Sequence, residues 1–128
     1  MSKVLQIFTV FFTLAFLPIA FADPSSVESE SQDFMQTLEA KTILTTEQQD
    51  GMKKIIEDSI NQREQIIASH QGEKGIQVKK QIRDELETLN GKTQSEVQKV
   101  LDQQQYQAYL DVQEAREDRI RDRINSQF

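Results

Sequence analysis

Apolar and polar positions alternate along this chain with the period of helices almost throughout. Phe34, Met35 and Leu38 recur at helical spacing and predict a short amphipathic helix ending about Lys41. Met52, Ile55, Ile56, Ile60, Ile66 and Ile67 then form one stripe at three-and-four spacing, predicting a long helix that ends near His70. Gln71-Gly72-Glu73-Lys74-Gly75 reads as a turn. Beyond it Val78, Ile82, Leu86 and Leu89 share a face, Val97, Val100 and Leu101 carry it onward, and Ala108, Tyr109, Val112, Ala115, Ile120, Ile124 and Phe128 complete the run. No stretch alternates β-branched residues with period two, so strands are not expected. The pattern predicts an all-α fold: a short leading helix, then a long helical hairpin whose second arm is broken or kinked.

Capping signals refine the helix starts. In Leu44-Thr45-Thr46-Glu47-Gln48, Thr45 is a good N-cap, Gln48 stands where its side chain reaches back to the cap's own N–H, and Glu47 sits at the positive end of the helix dipole. Leu101-Asp102-Gln103-Gln104-Gln105 repeats the arrangement with Asp102 as cap and Gln105 at the box position, and Leu101 and Tyr106 can form a hydrophobic staple. Asn90-Gly91 reads as a C-cap and Thr93-Gln94-Ser95-Glu96 as a fresh capping box, so the helix is expected either to stop and restart there or to run through with a kink.

The first 22 residues follow another logic. Lys3 precedes an apolar run from Val4 to Leu17, Pro18 ends it, and Ala20-Phe21-Ala22 offers small residues where a signal peptidase cuts. Residues 1–22 are therefore expected to be a cleavable signal peptide. The run is shorter than the roughly 18 residues of a membrane span, so no span is expected in the exported form. Residues 23–32 (DPSSVESESQ) read as a flexible acidic leader, and 33–128 as a single helical-hairpin domain.

Composition narrows the function. The chain of 128 residues has a net charge of −6 and no Cys. An acidic balance argues against nucleic-acid binding, and an exported chain without Cys must be held by packing alone. Beyond residue 22 only Phe34, Tyr106, Tyr109 and Phe128 are aromatic, a lean supply for one core, so association into a homodimer is expected. For catalysis, Ser59, Ser69, Ser95 and Ser126 lack a paired base motif, there is no Gly-rich phosphate loop, and carboxylate pairs such as Glu57-Asp58 belong to charged faces. No enzyme and no cofactor are expected. His70 is the lone histidine and the sole candidate metal ligand, with Glu73 as its nearest partner; one His without Cys makes a poor soft-metal set.

The two copies of Leu, N-cap, two residues, Gln resemble the paired LTxxQ motif of the Spy and CpxP family of small periplasmic stress proteins. Leu44, Thr45, Glu47 and Gln48 lie in a full match; Leu101, Asp102 and Gln105 carry the second, with Asp in place of Thr. The resemblance implies a curved all-α homodimer and an ATP-independent, holdase-like chaperone or envelope-stress accessory protein that binds unfolded or misfolded proteins in the periplasm. An inhibitory module that binds one envelope sensor domain is the alternative it implies, and metal sensing a third. The motif residues are expected to be structural. A client or partner face is expected along Met52, Ile55, Ile56, Ile60, Arg63, Ile66 and Ile67, although such a stripe is more often core.

Overall fold

The computed structural model describes residues 24–128, and these form four helices: α1 (Pro24–Lys41), α2 (Thr46–Ser69), α3 (Ile76–Val100) and α4 (Gln103–Gln127). The expected signal segment, residues 1–22, lies outside the described residues. Among the described residues there is no strand, so the fold is all-α as the periodicity predicts. Helix α2 packs between α1 and α3, and α4 closes the ring by packing on α3 and back on α1. Short connections set the directions. Residues 42–45 turn α1 into α2, and residues 70–75 make the hairpin between α2 and α3. Leu101 and Asp102 alone reverse the chain into α4. The starts of α2 and α4 therefore share one pole of the ring with the end of α3. The hairpin turn and the end of α4 share the other.

Gly72 and Gly75 take positive φ (88° and 116°) in the hairpin turn, a conformation that costs other residues strain. Residues from the end of α4 fasten this turn. The Gly75 N–H donates to the Phe128 carbonyl at 3.3 Å, and Lys74 Nζ donates to the Gln127 carbonyl at 2.9 Å.

Apolar side chains collect in two clusters. At the motif pole Val27, Phe34, Leu38, Met52, Ile56, Ile60, Val97 and Tyr109 are buried together with Leu44 and Leu101. At the turn pole Ile67, Val78, Ile82, Ile124 and Phe128 form a smaller cluster. Between them lies a layer of buried polar and charged residues: Ser59, Arg63, Thr93, Gln113 and Arg116. The single stripe read along α2 is thus divided at Ser59 and Arg63, with Met52, Ile56 and Ile60 in one core and Ile67 in the other.

Two expectations are corrected. Residues 24–32, expected as part of a flexible leader, are the first turns of α1. Val27 and Ser31 are buried there, and Glu30 is held by arginines from two other helices, so polar composition is outweighed by tertiary contacts. Of the break or kink expected at Asn90-Gly91, the break is absent: α3 runs unbroken to Val100. Gly91 costs the helix about 1 kcal/mol against Ala. That is offset by burial of Leu89, Thr93 and Val97 on one face and by an Asn90 Nδ2 hydrogen bond to Glu117 at 3.1 Å. The break comes at Leu101–Asp102, where the second arm folds back on itself.

If α1 is part of the core, removing a side chain from it must cost stability. Leu38 is fully buried. Leu38→Ala is expected to destabilise the fold by roughly 2–5 kcal/mol in chemical denaturation. A loss under about 0.5 kcal/mol, the range of a surface substitution, would show α1 to be detachable.

Candidate functional site

At the motif pole each helix start is capped as the sequence predicts. The Thr45 side chain accepts from the Gln48 N–H at 3.1 Å, and the Gln48 side chain accepts from the Thr45 N–H at 3.0 Å. In the second copy Asp102 accepts from the Gln105 N–H at 2.8 Å, and Gln105 accepts from the Asp102 N–H at 2.9 Å. Asp caps by the same geometry as Thr, so the departure in the second motif leaves the cap intact.

The structure adds something the separate motifs did not reveal. Gln48 Nε2 donates to Gln105 Oε1 at 2.9 Å, and Gln105 Nε2 donates to Gln48 Oε1 at 3.0 Å. Each amide also donates to the carbonyl just before the other motif's leucine: Gln48 to Val100 at 3.1 Å, Gln105 to Ile43 at 2.8 Å. Each glutamine thus uses both acceptor positions and both N–H donors, and the arrangement is nearly symmetric about the midpoint of the pair. The oxygen must face its own cap N–H, which fixes the orientation of both amides. Glutamate serves a capping box as well as glutamine does, but it has no N–H to donate across the pair. The recurrence of Gln rather than Glu was the available signal. Leu44 and Leu101 are buried beneath the pair, and Glu47 is exposed in the first turn of α2.

The expected client face takes a different place. Met52, Ile56, Ile60, Arg63 and Ile67 are buried, and Ile55 and Ile66 are partly buried against the two clusters. Helix α1 covers one side of the stripe and α3 the other, so its apolar part is largely interior, while Arg63 borders the groove between α3 and α4. Among the described residues, the large hydrophobic side chains that do face solvent are Ile43 and Ile76, at 90% and 83% exposure.

Arg63 belongs to a buried ion network at the middle of the ring. Its two terminal nitrogens donate to the Glu30 carboxylate at 2.5 and 2.7 Å, and its Nε donates to Glu64 at 2.8 Å. Arg123 binds the same Glu64 carboxylate through both terminal nitrogens at 2.8 Å. Burial would push the Glu30 carboxyl up, but the hydrogen bonds and charge of Arg63, with Arg116 behind, hold it below the ordinary carboxylate range. The Glu64 carboxyl is likewise held low, against burial, by Arg123 and Arg63. For Arg116 the balance is reversed: burial, then the neighbouring charge of Arg63, brings its pKa down to about 10. Burial pushes the Tyr109 hydroxyl up to about 12. The tyrosine packs against Phe34 with ring centroids 5.7 Å apart.

His70 closes the other pole. Its Nε2 lies 2.7 Å from Glu85, and Nδ1 lies 3.3 Å from Glu73, so the imidazole joins the end of α2 to α3. Glu73 was the partner suggested by sequence; Glu85 is brought in by the hairpin. Hydrogen bonding to Glu85 raises the His70 pKa, assisted by Glu73 and opposed by burial. Among the described residues no group of three or more His, Asp or Glu side chains is placed to hold a metal ion. Nor is any helix long and apolar enough to cross a membrane.

Removing one cap, by Thr45→Ala or Asp102→Ala, is expected to cost about 1 kcal/mol in denaturant titrations; unchanged midpoints would place the helix starts elsewhere. The raised His70 pKa makes its ion pairs a source of stability below the unfolded-state pKa near 6.5, lost as pH rises through the higher folded-state value. Wild type should therefore exceed His70→Gln in melting temperature at about pH 5.5, with the gap closing by about pH 9. A gap that widens with pH would contradict the assignment.

Against protein-family models, curated proteins and solved structures the chain has no match.

Proposed function

We propose that this chain is a periplasmic, ATP-independent chaperone of the holdase type, or an envelope-stress accessory protein, that binds unfolded or misfolded proteins. The observation that carries this reading is the pairing of the two LTxxQ-type motifs through Gln48 and Gln105, because it gives the repeated motif a physical reason to occur twice in one chain. The apolar run Val4–Leu17 followed by Ala20-Phe21-Ala22 supports export.

Because the Met52–Ile67 stripe is interior, clients are held elsewhere. Grooves flank α4 on both sides, one toward α3 and one toward α1, and both mix apolar walls with charged rims. Such surfaces hold extended chains by many weak contacts, and the net negative charge adds attraction for basic segments. Association of two copies would enlarge this surface, in line with the expected homodimer. Neither use calls for a nucleotide or a bound metal.

The test is aggregation of two unrelated unfolded proteins, followed by light scattering without ATP. Suppression of both at near-stoichiometric ratios is the expected result. Suppression of neither would contradict the proposal and favour a module that binds one folded sensor domain.

A further inference from the structure

The polar layer between the two apolar clusters contains more positive than negative charge, and it borders an open cavity. Arg63, Arg116 and Arg123 stand there against Glu30 and Glu64. Both carboxylates are already committed. Glu30 takes two hydrogen bonds from Arg63, and Glu64 is bound through both oxygens by Arg123 while also accepting from Arg63 Nε. Arg116 is left with one ion pair to Glu30 at 3.4 Å and a stack on Phe34, 5.3 Å from the ring centroid. It makes no hydrogen bond among the described residues, yet it is only 6% exposed. A guanidinium has five N–H donors, and those of Arg116 are not sealed from solvent, so they remain available to a ligand.

The cavity beside it lies where α3 and α4 stand apart, in a groove of ≈ 570 Å³. This is within the usual range of small-molecule sites, about 300–1,000 Å³. Arg63 and Arg116 border it, while Leu86, Leu89 and Ile120 supply apolar wall. Arg83 and Arg121 line the groove as well, together with Glu87 and Glu117, so its lining carries more positive than negative charge and attracts an anion. An excess of arginine over glutamate and an apolar wall together suit an anionic ligand with an apolar body, and a monocarboxylate is the simplest such ligand.

We propose that the groove between α3 and α4 binds a small amphipathic monocarboxylate, with its carboxylate on Arg116 and its apolar body along Leu86, Leu89 and Ile120. The planar guanidinium matches a carboxylate with two parallel hydrogen bonds. Binding is reversible and involves no covalent step. The groove is one of the two offered above to unfolded clients, but small-molecule binding does not require chaperone activity, so the titration below and the aggregation assay can fail separately.

The probe is decanoate, titrated by calorimetry into protein expressed from the full sequence and purified, with a carboxyl-¹³C label followed by NMR. Decan-1-ol and decylamine carry the same tail without the negative charge. One saturable site is expected for decanoate, with both controls weaker by at least about tenfold. Arg116→Gln should weaken decanoate by about tenfold or more and abolish the carboxyl shift, leaving decan-1-ol unaffected. Gly91→Leu blocks the groove by another route. A Cβ at Gly91 meets nothing within 4 Å, and Leu suits a helix better than Gly, so this variant keeps its fold even if Arg116→Gln does not. It should also remove binding while circular dichroism is unchanged. Equal affinity for decan-1-ol, absence of a saturable site, or unchanged decanoate binding in folded Gly91→Leu would each overturn the proposal.

Discussion

The architecture depends on two side-chain amides that complete each other. A helix start leaves backbone N–H groups without intrahelical partners, and a capping box answers two of them locally. Gln48 and Gln105 do this and retain their own N–H donors, which reach each other and the carbonyls of Val100 and Ile43. Two helix starts 57 residues apart in sequence are thereby held side by side. Once α2 and α4 begin together, the two-residue reversal at Leu101–Asp102 must return α4 along α3. The buried Leu44 and Leu101 then share one cluster.

Away from that pole the ring is held by charge as well as by packing. The four helices, with 18 buried hydrophobic side chains among the described residues, have enough apolar material for two clusters but leave the middle polar. Arginines buried there need anions, and Glu30 is the one that draws α1 against both α2 and α4. Replacing such a network by apolar residues is often neutral or stabilising, whereas removing one partner is costly. The network thus explains why α1 docks in a particular register better than it explains overall stability. The same layer prevents the isoleucine stripe from being one continuous core and leaves α3 and α4 apart at mid-length.

Much of this was legible in the sequence, for identifiable reasons. Periodicity placed the interior of every helix because apolar faces repeat at 3.6 residues, and the two capping boxes placed the starts of α2 and α4 because side-chain chemistry there is local. What escaped was non-local. The first turns of α1 read as a leader because Ser and Glu dominate locally, and the partners that order them, Arg63 and Arg116, lie far along the chain. Asn90-Gly91 read as a stop or a kink because such a pair often ends a helix, and the buried face of Leu89, Thr93 and Val97 carries the helix through. For the site, each glutamine could be assigned to its own cap, but their meeting depends on α4 returning beside α2. The stripe from Met52 to Ile67 could be identified as a face, but only the placement of α1 and α3 decides that it is interior.

The most direct test of the account is a double-mutant cycle on Gln48 and Gln105, with each residue replaced by Ala singly and together, measured by equilibrium denaturation. Reciprocal hydrogen bonding predicts strong coupling: the double variant should lose less stability than the sum of the single variants, by about 1 kcal/mol or more. Additive losses, within about 0.3–0.5 kcal/mol, would mean that the two motifs act as separate caps and that their pairing does not organise the fold.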